Sequence, residues 1–227
     1  MNDLQAAIKQ RLLEAQNILL VSHVRPDGDA IGSLLAFGLA LQGAGKKVQM
    51  VLPDGVPSSF RHLPGSDQVA KTAEGTFDLA IVVDCADLKR VGKSLDGYSK
   101  PDLNIDHHVT NECFGNLNLI EPNAVATSSI LFRHLPEWGY ALTQPVAANL
   151  VTGIVTDTLG FRTTNTTPEA LRQVAGLSPS LASSWAREAV TPANAACCAG
   201  RRVRRSWAAP PSNPRRARRP RAAPPVT

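Results

Sequence analysis

One stretch near the start of the chain limits its fold more than any other: Ser22-His23-Val24-Arg25-Pro26-Asp27-Gly28-Asp29-Ala30-Ile31-Gly32-Ser33. Before it stands Asn17-Ile18-Leu19-Leu20-Val21, short, apolar and partly β-branched, which reads as a buried strand ending at Ser22. After it, Ala30–Gln42 is Ala/Leu-rich and reads as a helix, stopped by Gly43 and Gly45. A strand thus delivers one His and two Asp to a strand-to-helix turn. In open α/β sheets, ligands bind at that position, outside the carboxyl ends of the strands. Gly28 permits a tight turn between the carboxylates, and Gly32 permits close backbone packing. Imidazole plus carboxylate suits Mn, Zn or Fe(II), whereas carboxylates alone suit Mg or Ca. Pro-Asp-Gly is also ordinary turn chemistry, and Asp before a helix is an ordinary N-cap. For this stretch alone the two readings stand level.

Further acid and His clusters, each after an apolar run, shift that balance. Leu4–Gln16 reads as an amphipathic helix and Lys47–Leu52 as a second strand, followed by a turn-rich Pro53–Gly75. Phe77–Val83 is a buried strand that ends in Asp84, with Asp87 a loop cap three residues on. Asp102–Ile105 is a short strand that ends in Asp106-His107-His108. Packing explains one buried imidazole, but not two beside a carboxylate. Ala126–Leu135, Pro145–Thr156 and Thr167–Leu177 read as helices, the last with Pro168 in its first turn. Asp157 closes an apolar helix where the helix dipole disfavours negative charge, and a cation would compensate. Strands alternating with helices imply an α/β fold: a mainly parallel sheet with helices on both faces.

His23, Asp27, Asp29, Asp84, Asp106, His107, His108 and Asp157 are too many ligands for one tetrahedral ion. They suit two ions sharing a carboxylate, and ions about 3.5–4 Å apart are standard apparatus for phosphoester hydrolysis. Arg162 and Asn165 follow shortly after Asp157. A guanidinium there could neutralise a phosphate oxygen, and a solvated loop Arg is the plain alternative. Ser128 and Ser129, at an expected helix start, read as caps before they read as phosphate ligands.

His23-x-x-x-Asp27-x-Asp29, Asp84, Asp106-His107-His108 and Thr156-Asp157-Thr158 resemble, in order, the four motifs of the DHH phosphoesterase superfamily. Residues 22–33, Asn104–His108 and Thr152–Arg162 are most similar to its nanoRNase/pAp-phosphatase branch, and the likeness covers residues 1–177. The resemblance implies a Mn²⁺-dependent hydrolase, with Mg²⁺ or another divalent ion as the alternative. Its substrates would be short oligoribonucleotides, 3′-phosphoadenosine 5′-phosphate, or both. By the same resemblance His23 and Asp27 hold one ion, and Asp29, His107 and Asp157 hold the second. Asp84 bridges them, His108 faces the scissile phosphate, and Asp106 orients a His ring. A cyclic-di-AMP phosphodiesterase or a pyrophosphatase-like enzyme is the rival within the superfamily. A homodimer is compatible with it.

The net charge of +5 belongs to the end of the chain. Residues 1–177 hold 14 basic and 18 acidic side chains, net −4, and residues 178–227 hold ten Arg and one Glu, net +9. This Ala/Pro/Arg-rich segment has three readings. It is a basic arm for nucleic acid, a disordered tail, or out-of-frame translation of a GC-rich gene. The nanoRNase branch carries a second domain with a glycine-rich, His-containing motif. Residues 178–227 hold one Gly, Gly200, and no His, so the segment is expected to replace that domain. No 20-residue apolar run and no signal-peptide pattern is present, and the four Cys lack disulfide or zinc spacing. These point to a cytoplasmic protein without a membrane partner.

Overall fold

The structure, a computed structural model, describes residues 3–96 and 100–177. The segment 178–227, expected to be a basic tail or out-of-frame product, lies outside the described residues. Helix α1 (Asp3–Glu14) leads into β1 (Asn17–Val21), α2 (Gly28–Gly43) and β2 (Lys47–Val51). Next come β3 (Val69–Ala70), β4 (Leu79–Val83), β5 (Leu103–Asp106) and β6 (Leu117–Ile120). Helices α3 (Thr127–Trp138) and α4 (Gln144–Asp157) follow, and residues 168–177 are helical again. Among the described residues no helix is long and apolar enough to cross a membrane.

All six strands run parallel, in the order β3-β2-β1-β4-β5-β6. The α/β fold with a parallel sheet is as expected. Strand order reverses direction between β1 and β4, the switch point at which such sheets open a ligand crevice. The same reversal explains how the two faces are covered. Right-handed crossovers that step one way along the sheet lie on one face, and those that step the other way lie on the opposite face. Accordingly α2, between β1 and β2, packs with α1, α3 and α4 on Ile18, Leu20, Ile81, Val83 and Ile105. The described part of the β4-to-β5 connection includes a 3-10 segment, Leu88–Leu95, kinked at Gly92, and its Val91 and Leu95 cover Leu19, Val21, Ala80 and Val82. Val91 and Leu95 of this 3-10 segment thus bury the second face of the sheet.

Strands β3 and β6 have no counterpart among the expected elements. The first is two residues long, and the second, Leu-Asn-Leu-Ile, is too short to show a period. Helix α3 runs past the expected end at Leu135 to Trp138. Pro136 sits in the last turn, and Gly139, left-handed at φ 97, closes the helix. Gly32 serves the close backbone packing expected of it, and Gly28 makes room for a neighbouring helix as well. A Cβ on Gly28 would collide with Thr156, and one on Gly32 would lie 2.6 Å from Asn149 O and 2.9 Å from Gly153 N. Gly32 lets α2 touch the backbone of α4 and Gly28 admits the Thr156 side chain, which brings the Asp29 helix to the Asp157 helix.

Candidate metal centre

Parallel strands end on one edge, so His23 after β1, Asp84 after β4 and Asp106 at the end of β5 meet there. Ser22 Oγ donates to Val83 O at 2.7 Å and ties the first two strand ends together. Asp84 adopts a left-handed φ of 54, uncommon for a residue other than glycine and frequent where function demands strain. Its carboxylate is buried and accepts from Thr127 Oγ1 at 3.0 Å.

On one side of Asp84 stand His23 and Asp27. His23 Nε2 is 3.8 Å from Asp84 Oδ2 and 3.9 Å from Asp27 Oδ2, and it is buried without a hydrogen-bond partner. These separations are too long for hydrogen bonds. They fit donors that each reach about 2.1 Å to a shared ion between them. Asp27 takes one of the two roles that the sequence left open and is placed for the other. Its Oδ1 caps α2 through the N–H groups of Asp29 and Ala30, at 3.1 and 3.0 Å, while its Oδ2 faces His23. Burial works to lower the His23 pKa, but the Asp84 and Val24 contacts outweigh it and hold the ring above its usual value.

On the other side stand Asp29, His107 and Asp157. His107 Nε2 is 3.8 Å from Asp84 Oδ1 and 3.7 Å from Asp157 Oδ2. Asp29 is buried, and its two oxygens accept the Thr127 and Ser128 N–H groups at 2.6 and 3.0 Å. It caps α3, whose own N-cap residue, Ala126, has no side chain to do so. Burial, and then the Asp84 charge, push the Asp29 carboxyl well above its ordinary range. Burial also raises Asp157, where Asp84 and Asp27 add repulsion against the attraction of His107. Four carboxylates, Asp27, Asp29, Asp84 and Asp157, crowd one edge here, and a cation would relieve them.

Ligand atoms of His23, Asp27 and Asp84 lie within 4.8 Å of one another, as do those of Asp29, His107 and Asp157, and those of Asp84, Asp106, His107 and His108. The donor set, imidazole plus carboxylate, fits a divalent transition ion better than Ca²⁺.

Asp106 faces His108. His108 Nδ1 lies 2.7 Å from Asp106 Oδ1, and Asn111 Nδ2 donates to Asp106 Oδ2 at 2.6 Å. Burial favours a protonated Asp106, but these hydrogen bonds prevail and hold its pKa below the usual range. The same bond raises His108, against the opposing effect of burial. Asn111 also donates to Cys85 O at 3.1 Å and accepts from Asn104 Nδ2 at 3.1 Å, which braces the loop after β5.

The two expected phosphate-binding residues lie apart from this network. Arg162 and Asn165 are exposed in the turn after α4, and Arg162 Nε donates to Leu159 O at 2.9 Å. Among the described residues no hydrogen bond or ion pair joins either to the cluster. Ser128 caps nothing with its hydroxyl, which is buried and unpartnered, but its N–H holds Asp29. Ser129 Oγ donates to Gln173 Oε1 at 2.7 Å. Asn111, Thr127 and Arg90, whose Nη2 lies 3.1 Å from His23 Nδ1, were not anticipated. They act across elements, and the only sequence hint is polar residues within a few positions of a strand end or helix start.

Residues 17–154 match the DHH family, N-terminal domain. Over 165 residues the chain is 40% identical to the bifunctional oligoribonuclease and PAP phosphatase NrnA of Thermus thermophilus, covering 70% of this chain and 49% of that protein. NrnA of Bacillus subtilis is 30% identical over 159 residues, 68% of this chain and 50% of that one. The crystal structure of an exopolyphosphatase-related protein from Bacteroides fragilis aligns with a TM-score of 0.68 at 26% identity, over 78% of this chain and 56% of that one. The chain spans about half the length of the curated relatives it matches. With the sheet edge, its paired acid and His groups and the family match all in agreement, the chain belongs to the DHH family and carries its N-terminal domain.

Proposed function

We propose that this edge is the metal centre of a Mn²⁺-dependent phosphoesterase that hydrolyses short oligoribonucleotides, 3′-phosphoadenosine 5′-phosphate, or both. The reading draws its substrates from the NrnA relatives, whose names carry both activities. What supports it most is the position of Asp84, one carboxylate within 3.8 Å of an imidazole nitrogen on either side. His23 and Asp27 would hold one ion, and Asp29, His107 and Asp157 the other, with Asp84 shared. Bound there, divalent ions lower the pKa of water and neutralise phosphate oxygens.

The chain's own residues do the rest. Asp106 accepts the His108 Nδ1 proton and fixes the ring, so that Nε2 is left for the substrate. The raised His108 pKa keeps a proton available for the leaving oxygen. Asn111 holds Asp106 in turn. The depressed Asp106 pKa means that this carboxylate stays ionised and keeps orienting the ring through mild acid. The free thiols of Cys85 and Cys113 are compatible with a reducing cytoplasm.

The test uses the full chain stripped of metal, reloaded with Mn²⁺ and assayed on a 5′-phosphorylated diadenylate, on 3′-phosphoadenosine 5′-phosphate and on pyrophosphate. Turnover of either adenylate, absent without Mn²⁺, supports the reading. Turnover of pyrophosphate alone would move the chain to a different phosphohydrolase class. Two bound Mn²⁺ with no turnover of any of the three would refute it.

A further inference from the structure

Arg90 lies beside His23 at the carboxyl edge of the sheet, and among the described residues it forms no ion pair. Its backbone is fixed in the 3-10 segment after β4. Arg90 O accepts from Val24 N at 2.7 Å, and Arg90 N donates to Asp87 O at 3.0 Å. Asp87 spends a carboxylate oxygen on Lys89 N at 2.8 Å. Arg11, Arg133 and Arg172 each have an acidic partner, and no ion pair among the described residues includes Arg90. Among the described residues its one side-chain hydrogen bond is from Nη2 to His23 Nδ1, at 3.1 Å.

That contact conflicts with another. His23 Nδ1 also lies 2.8 Å from Val24 O, and one ring nitrogen cannot accept from Arg90 while donating to a carbonyl. The position of the single proton of the neutral ring decides between them. With the proton on Nε2, Nδ1 accepts from Arg90, and Nε2 has no lone pair for an ion. With the proton on Nδ1, the ring donates to Val24 O and turns the Nε2 lone pair toward Asp84 and Asp27. Nε2 is buried and has no hydrogen-bond partner, which favours a role that needs its lone pair. In that tautomer Arg90 faces an N–H and loses its acceptor. A half-buried guanidinium then needs a new one, and it lies beside the group expected to bind anions.

We infer that Arg90 binds a phosphate oxygen of the substrate, and that loading an ion onto His23 Nε2 frees its guanidinium to do so. The inference rests on the proposed metal centre. It assigns the phosphate contact to a residue built into the sheet edge, whereas Arg162 turns Nε back onto Leu159 O. Its Nη2, 3.1 Å from His23 Nδ1, already stands at one of the rings that flank Asp84. A planar guanidinium suits a phosphate better than the point charge of a lysine.

The test measures binding of adenosine 5′-monophosphate to the full chain by calorimetry, after loading with Mn²⁺, in the wild type and in Arg90→Ala and Arg90→Lys. Adenosine, which lacks the phosphate, is the control. Neither substitution disturbs the backbone bond from Val24. The expected result is two Mn²⁺ equivalents in every form, with nucleotide affinity at least about tenfold weaker in Arg90→Ala and partly restored in Arg90→Lys. Unchanged nucleotide affinity in a fully loaded Arg90→Ala would overturn the inference. Loss of a Mn²⁺ equivalent in both variants would also overturn it, because Arg90 would then be a support for His23. A wild type that binds no Mn²⁺ at all would remove the metal centre itself, and Arg90 with it.

Discussion

The two candidate ligand groups that flank Asp84 have nearly the same chemistry and are built in different ways. The His23 and Asp27 group comes from a single strand-to-helix turn, and its Asp27 side chain is 62% exposed. The Asp29, His107 and Asp157 group draws on α2, the end of β5 and the end of α4, and its Asp29 is buried. The first is local and half open. The second depends on tertiary packing, because Asp29 also holds the start of α3 through two backbone N–H groups. A change in the packing of α2, α3 or α4 should therefore reach the second group and leave the first intact.

The largest effect belongs to the residue that both groups share. Asp84→Ala removes a carboxylate from each side and leaves Thr127 Oγ1 without its acceptor. Turnover is expected to fall to background, with neither Mn²⁺ equivalent bound tightly in a calorimetric titration. One equivalent retained at wild-type affinity would show that Asp84 serves only one group.

The next pair of substitutions separates the groups. His23→Ala should abolish one Mn²⁺ equivalent and Asp157→Asn the other, each by more than the ~10–100-fold loss typical of an outer support. Loss of both equivalents in either variant would mean that the two sites fill as one unit. Gly153→Ala acts through packing alone. The added Cβ would collide with Ser128 Oγ and lie 2.6 Å from Asp29 Oδ1. Overpacking of this kind costs about 1–3 kcal/mol. Thermal melting should register the loss, and metal titration should show the second equivalent weakened and the first unchanged.

This asymmetry also explains what could be read from the sequence. His23, Asp27 and Asp29 lie within seven positions between an apolar strand and an apolar helix, so local pattern alone places them. Asp84 and Asp106-His107-His108 were legible because every strand of a parallel sheet ends on the same edge. Strand order was not legible, and with it went the switch point, the side of the sheet that Leu88–Leu95 covers, and so Arg90. Asn111 and Thr127 look like ordinary loop and helix-start residues until β5 and α3 are brought beside Asp106 and Asp84. Asp157 was read as a charge in need of a cation at a helix end. The structure adds that Asp84 and Asp27 repel it as well.

The smallest expected effect inverts with metal. Burial and neighbouring carboxylates raise the pKa of Asp157 in the folded, metal-free chain. An unfolded Asp titrates near 3.9. Between that value and the raised one, the native state holds more protons than the unfolded state, so stability falls as pH rises through the window. Above the window the full cost of an ionised Asp157 is present. Asn at this position carries no such charge. In chelator at neutral pH, Asp157→Asn should therefore be more stable than the wild type, by about 1 kcal/mol at most. The difference should vanish in acid, where both forms are neutral at this position. In Mn²⁺ the order should reverse, because the wild type gains binding energy through a ligand that the variant lacks. Melting curves at neutral and acid pH, with chelator and with Mn²⁺, measure all three. A variant less stable than the wild type in chelator would mean that His107, 3.7 Å away, already offsets the repulsion. The second group would then be held together without an ion.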